Sequence, residues 1–336
     1  MTVADHRALV YVACPRCDAD RPTRLAHEGP LGIVRCGRCR LLYVTPRFAE
    51  PQAHYHGTRE DVLRKYGAVL RGEAAHNRDP NYEQELGVLR RLKPTGRLLD
   101  VGTHCGFFLR KARGMAWQLV GVEPSPIGAE LAREFYGLDV RNALLQDAGL
   151  PDGYADIVTL VDVFEHVADP RDLLPEVRRV LADDGLLFIK VPNGRYNLFK
   201  YRLICKAMRL REVEIFDAKE HVVHYEIETL RATLREHGFR ITLAFVPLPI
   251  QDGAAWKCAL RLVARGIALV QQRLTGGFGP LATDIAVVAE KSGARGTLGD
   301  ARAAGQTRAA PDAPTTGKAR PTAAAEVPRP AERRSP

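Results

Sequence analysis

Large apolar side chains in this sequence fall into short, nearly uninterrupted runs separated by amphipathic stretches. Arg97 to Val101, Gln118 to Glu123, Asp156 to Val161, Gly185 to Val191, Arg240 to Val246 and Asp284 to Glu290 are rich in Val, Leu and Ile and carry little polar alternation. Strands buried on both faces read this way. Between them, Pro170 opens a helix reaching about Leu181, because proline loses nothing at the first helical turn. Glu228 to His237 forms another helix, closed by Gly238 as a C-cap. Strands and helices in alternation predict an α/β fold wound around a largely parallel sheet. No stretch reaches the roughly 20 apolar residues that span a bilayer.

The turn after the first run carries the chemistry. In Leu98-Leu99-Asp100-Val101-Gly102-Thr103-His104-Cys105-Gly106 a strand reverses into a helix, and Gly102 and Gly106 leave room for a ligand against the backbone. Glu123 stands seventeen residues after Gly106, at the end of the next strand, where an acid reaches ribose hydroxyls in doubly wound folds. The dinucleotide spacing G-x-G-x-x-G is not met. Instead the turn resembles the first motif of class I S-adenosylmethionine-dependent methyltransferases, D-x-G-x-G-x-G, with His104 in place of the middle glycine. That side chain would point at or near the methionine part of the cofactor, as a contact, a block or a tolerated variant. Asp162-Val163-Phe164-Glu165-His166-Val167-Ala168-Asp169-Pro170 resembles the E-H-V-x-D-P run that follows the fourth strand in the small-molecule and ubiquinone-type members of that family.

The resemblance covers about Tyr82 to Lys291 and implies a seven-stranded, mostly parallel, Rossmann-like sheet binding S-adenosylmethionine. The cofactor set it implies is Asp100, Gly102, His104, Gly106, Glu123, Asp147 and Asp162, with Gln146 as the alternative to Asp147 at the adenine. In ubiquinone-pathway relatives an E-x-x-E-H set binds a metal, and Asp162, Glu165 and His166 occupy that place; Mg²⁺ or Mn²⁺ would suit such ligands. The same run also occurs in relatives without metal.

Ahead of this region, Cys14-Pro15-Arg16-Cys17 and Cys36-Gly37-Arg38-Cys39 form two C-x-x-C pairs separated by eighteen residues. The spacing is that of a four-thiolate zinc ribbon, and four cysteines close the coordination shell, so the zinc would be structural. Four reduced structural cysteines are the alternative. The resulting organisation is a ribbon over 1–47, a linker or helical segment over 48–81, the methyltransferase domain over 82–291, and a disordered tail over 292–336. About forty residues hold too little core to fold alone, so metal would supply most of the ribbon's stability.

The chain carries a net charge of +9. Eight Arg or Lys against four Asp or Glu lie after Ser292, so about half of the excess belongs to the tail. Methyltransferases of nucleic-acid amines usually show an N/D-P-P-Y run after the fourth strand, and Asp162-Val163-Phe164-Glu165 stands there instead. This favours a small-molecule, glycan or lipid-linked hydroxyl over a flipped base. Seven cysteines, four of them in a metal pattern, and no early apolar leader point to a reducing, cytoplasmic setting.

Deprotonating a hydroxyl calls for a base, and His166, His221 and His224 are the candidates, each with a solvated or structural imidazole as the alternative. Two insertions, about 194–216 and 251–280, mix aliphatic, aromatic and basic residues at helical spacing. They read either as helices packed on each other or on the sheet, or as a lid or a patch in peripheral contact with an anionic membrane. Two other classes remain open: a nucleic-acid or protein methyltransferase docking through the ribbon, and a non-catalytic binding protein whose cofactor loop His104 has damaged.

Overall fold

The computed structural model describes residues 8–49, 57–207, 213–250, 253 and 255–293. The expected tail lies almost entirely outside them. The ribbon comprises β1 (Leu9–Val10), β2 (Pro22–Glu28), β3 (Leu31–Cys36), β4 (Leu42–Val44) and β5 (Arg47–Phe48). Helices α1 (Arg59–Leu70) and α2 (Asp79–Leu92) follow, and α1 starts at a capping box in which the Thr58 hydroxyl accepts from the Asp61 amide. Then come β6 (Gly96–Val101), α3 (Phe107–Ala112), β7 (Trp117–Val122), α4 (Pro126–Tyr136), β8 (Asp139–Arg141), β9 (Ala155–Val161), α5 (Leu174–Val180) and β10 (Leu181–Pro192). The chain finishes with α6 (Gly194–Tyr201), β11 (Val223–His224), α7 (Ile227–Glu236), β12 (Phe239–Phe245), α8 (Ala255–Thr275) and β13 (Asp284–Lys291).

Seven strands form one sheet in the order β12-β13-β10-β9-β6-β7-β8, parallel except for β13, which runs against both neighbours. Successive residues serve opposite faces. Leu99, Val158, Leu187 and Val287 pack under α5 and α7, while Leu98, Ile157, Phe188 and Val288 pack under α2, α3 and α4. Burial of both faces explains the unbroken apolar runs. The expected helix from Pro170 is split: a 3-10 turn over Pro170–Asp172 precedes α5, and Leu173 at the join departs from helical φ.

The ribbon is not a tethered bead. Its sheet, ordered β11-β4-β3-β2, takes its edge strand β11 from the α/β region, pairing Val223 with Tyr43 and His224 with Leu42. Tyr43, Leu41 and Val34 join the same core as α5 and α7. The Glu28 carboxylate accepts from the amides of Ile215, Phe216 and Ala218, at 2.5, 2.6 and 2.8 Å.

In the two insertions α6 runs into a π-helical turn, Arg202–Ala207. Helix α8 is inverted relative to an ordinary surface helix. Its inward face sets polar side chains beside the core residues Ala268 and Leu269, with Arg261 donating to the Ile250 carbonyl, Arg265 to Pro247 and Gln272 to Ala244. Its outward stripe, Trp256, Leu260, Val263, Ile267, Val270 and Leu274, is 53% to 81% exposed. No described helix is long and apolar enough to cross a membrane.

Candidate active site

The candidate residues lie at or beyond the carboxyl ends of β6, β7 and β9, beside the point where the strand order reverses between β6 and β9. Gly102 and Gly106 both adopt left-handed φ, 74° and 78°. Their open space faces protein rather than ligand, which amends the sequence argument for them. A Cβ on Gly102 would come within 2.6 Å of Val163, and one on Gly106 within 2.4 Å of Leu138. The two glycines thus let the turn press against neighbouring elements.

His104 shares the left-handed conformation, with φ of 50°, where an L side chain costs roughly 1–2 kcal/mol. Its amide donates to Glu123 Oε2 at 2.7 Å, and its ring meets the edge of Tyr66 from α1 at 5.5 Å. Burial, then the nearby Lys65, pushes the imidazole down to about 4, so it is neutral at pH 7. Glu123 is fixed from both sides, since Oε1 accepts from the Ser125 amide at 2.8 Å. Burial raises its carboxyl and those two amides oppose the rise. Each oxygen keeps further acceptor capacity, which suits ribose hydroxyls. Asp100 is buried and pushed up to about 6, against the hydroxyl of Thr159, which donates to it at 2.6 Å. Asp147 and Gln146 sit exposed on the 3-10 turn after β8.

Asp162 is engaged elsewhere. Its Oδ1 accepts from Lys190 Nζ at 2.7 Å, its other oxygen pairs with Arg78, and Lys190 also reaches Asp284 at 3.4 Å. Lys190 is 1% exposed and stands among acids: Glu85 and Glu165 are fully buried near it, have no hydrogen-bond partner for either oxygen among the described residues, and are each pushed up to about 7, first by burial. Sequence reasoning missed Arg78, Glu85 and Lys190. A lysine inside the apolar run Leu186 to Val191 was the available signal, because such a residue is almost never buried unpaired.

His166 and His221 come together, with ring centroids 4.7 Å apart. His166 Nδ1 lies 3.0 Å from the Glu220 carbonyl, which can only accept, so Nδ1 carries the proton and the lone pair belongs to Nε2. Burial lowers both imidazoles. His224 is apart from this pair in role: it is 2% exposed within β11, and burial pushes it down to about 3.

Ligand atoms of Glu165, His166 and His221 lie within 4.8 Å of one another. The acid set suggested by the sequence is therefore replaced by one carboxylate and two imidazoles, with Asp162 held by Lys190. That donor set fits Mg²⁺ poorly, since magnesium prefers oxygen and retained water.

The four ribbon cysteines form a second cluster within the same limit, all free of disulfides. Cys14 and Cys39 Sγ are 3.4 Å apart, Cys17 and Cys36 Sγ 3.6 Å. Each C-x-x-C turn ends on a left-handed residue, Asp18 or Arg40, and the amides of Arg38 and Cys39 point at Cys36 Sγ. Gly37 is required where its amide meets the Arg21 carbonyl, since a Cβ would lie 2.9 Å from that oxygen. Four convergent thiols with inward amides fit a zinc ion.

Sheet order, the acid-tipped β7 and the turn after β6 together define a class I S-adenosylmethionine-dependent methyltransferase. The methyltransferase-domain family matches residues 74–244, and the chain belongs to it. It is similar to the ubiquinone biosynthesis O-methyltransferase of Glaesserella parasuis, 23% identical over an alignment of 166 residues, with 40% of this chain and 70% of that protein covered. The enzyme of the same name from Cereibacter sphaeroides is 30% identical over 113 residues, 32% of this chain and 46% of that one. Among solved structures, a complex of a methyltransferase with the Haloferax volcanii Trm112 methyltransferase activator aligns at 16% identity and a TM-score of 0.47, covering 72% of this chain and 98% of the other.

Proposed function

We propose that this methyltransferase acts on a hydroxyl oxygen of a small-molecule, glycan or lipid-linked acceptor, with a structural zinc in the ribbon. The observation that carries the reading is the His166–His221 pair, half-buried beyond the carboxyl end of β9 with the His166 lone pair on Nε2. S-adenosylmethionine supplies an electrophilic methyl on a cationic sulfur. Around it, Glu123, Asp100 and the Gly102–Gly106 turn would hold the nucleoside and methionine parts, and Asp147 the adenine. The neutral His166 would take the hydroxyl proton as the oxygen–methyl bond forms, while the sulfur keeps the electron pair of the bond that breaks. Partial burial serves this role by keeping the imidazole unprotonated at pH 7. The ubiquinone O-methyltransferases among its relatives support an oxygen acceptor. No step needs the Glu165 cluster to hold a metal.

The test is calorimetry with S-adenosylmethionine, followed by transfer of labelled methyl into fractionated small-molecule, glycan and lipid pools. Micromolar binding with label in an alkali-stable ether supports the reading. No heat at millimolar cofactor removes it, and label only in RNA or protein replaces the acceptor class.

The inverted amphipathicity of α8 supports peripheral contact with an anionic bilayer. The helix contains no Asp or Glu, exposes an apolar stripe, and carries Lys257 and Arg273 in exposed positions beside it. Flotation with vesicles containing phosphatidylglycerol checks this: Leu260→Glu should abolish cofloating, and no binding by the wild type sinks it.

A further inference from the structure

A groove of about 750 Å³ opens where the ribbon meets α6 and α7, and its walls are dominated by arginine. Arg16, Arg35, Arg38 and Arg40 come from the two zinc knuckles and β3, and Arg195 and Arg202 from α6 and the turn after it. Three of the six are matched by acids: Arg16 pairs with Glu236 at 2.6 Å, Arg35 with Glu226 at 2.9 Å, and Arg195 with Glu228 at 3.2 Å. Arg38, Arg40 and Arg202 are exposed and make no ion pair among the described residues. Their guanidinium groups converge from two separate parts of the chain onto one opening, so like charges are gathered where folding alone would scatter them. The matched arginines are held in place by their acids, which leaves little side-chain freedom to lose on binding. Between them the wall combines the paired acids Glu226 and Glu228 with an apolar stretch of Leu198, Pro280 and the 40%-exposed Phe199.

We infer that this groove binds a diphosphate group carried by the acceptor. Guanidinium forks match phosphate oxygens in pairs, and three uncompensated positive charges suit the two to three negative charges of a diphosphate. The volume lies within the range of small-ligand sites. Phe199 and its aliphatic neighbours offer a surface for what the diphosphate bears, whether a nucleoside or a prenyl chain. The assignment of this ligand as acceptor rests on the reading of the chain as a hydroxyl methyltransferase; the binding itself does not.

The test is calorimetry on the full-length, zinc-loaded protein at low salt with inorganic pyrophosphate, uridine 5′-diphosphate and geranyl diphosphate. Wild-type protein should bind at least one, and Arg202→Glu should weaken it tenfold or more. Arg195→Gln should weaken it less, because Arg195 already shares its charge with Glu228. Zinc content and S-adenosylmethionine affinity, measured on the same samples, should not change. Tighter binding of the uridine compound indicates a nucleotide-linked acceptor, and tighter binding of the geranyl compound a lipid-linked one. Equal binding of all three indicates a site that reads the diphosphate alone. Absence of binding by every probe at millimolar concentration overturns the inference, as does unchanged affinity in Arg202→Glu, or binding of single-stranded RNA without diphosphate binding. These failures leave the methyl-transfer reading intact, whereas loss of cofactor binding in the wild type strikes that reading and not the groove.

Discussion

Replacing Glu85 by Gln should make the protein more stable at pH 8 and leave it little changed at pH 5. Glu85 is fully buried on α2, neither carboxylate oxygen has a hydrogen-bond partner among the described residues, and burial pushes it from 4.5 to about 7 in spite of Lys190 and Arg78. An acid whose pKa is raised by folding binds more protons in the native state than in the unfolded one between those two values. Its contribution to stability is therefore complete below pH 4.5 and is lost as pH rises through about 7. The interval corresponds to about 3 kcal/mol at pH 8 and above. Gln preserves the shape and removes the ionisation, so the loss disappears. Urea unfolding of both proteins from pH 5 to pH 9 reads this directly: the stability difference should grow with pH in favour of the variant and level off above pH 8. A difference that does not vary with pH, or a variant less stable at pH 8, would show that the carboxylate is satisfied as an anion and refute the reasoning.

Other expectations concern the site and the ribbon. His104→Gly relieves left-handed strain at the cofactor turn, so S-adenosylmethionine should bind equally or more tightly in calorimetry; a tenfold loss would identify the imidazole as a contact. His166→Ala should lower kcat roughly a hundredfold or more with cofactor affinity unchanged. Because burial holds His166 below its usual value, wild-type kcat should already be level by pH 7, and a rate still climbing at pH 9 would exclude it as the base. Cys36→Ser should lose metal by elemental analysis and melt several degrees lower; an unshifted melting curve in the metal-free protein would count against a structural zinc. Glu28→Ala should cost about 2–4 kcal/mol, since three amides lose one charged acceptor, and unchanged unfolding in urea would contradict that.

The sheet was legible because strands buried on both faces have no choice but to be apolar, and β6, β7, β9 and β13 fall within a residue or two of the runs that predict them. The shape of the turn after β6 was legible for a related reason: left-handed backbone favours glycine, and Gly102 and Gly106 take it. What escaped was everything made by distant pieces meeting. Lys190 lies within an apolar strand, and only the folded chain sets Asp162 and Asp284 beside it. His221 belonged to a different segment from Glu165 and His166, so no local spacing could join them. Helix α8 was read correctly as amphipathic, but periodicity cannot say which face turns inward, and here the basic face does because it caps the free carbonyls of the β12–α8 connection.

The join between ribbon and domain decides what a zinc site can do here. From the knuckle cysteine Cys36 at the end of β3, hydrogen-bonded pairing passes to β4; the Val44 amide then donates to the Val222 carbonyl, and the Val222 amide donates to the carbonyl of Glu165. His221 precedes that link directly, and His166 follows Glu165. The segment carrying one member of the histidine pair is therefore positioned by the ribbon sheet, and its partner by the end of β9. A ribbon used only as a mobile docking arm would leave Tyr43, Leu42 and Val223 exposed, whereas all three are at most 1% exposed. Burying them against the domain makes order in β3 and β4 a condition for the spacing of the two imidazoles. Loss of metal should accordingly disturb acceptor chemistry before it disturbs the cofactor turn, whose own supports, Glu123, Tyr66 and Leu138, lie on elements that the ribbon sheet does not include.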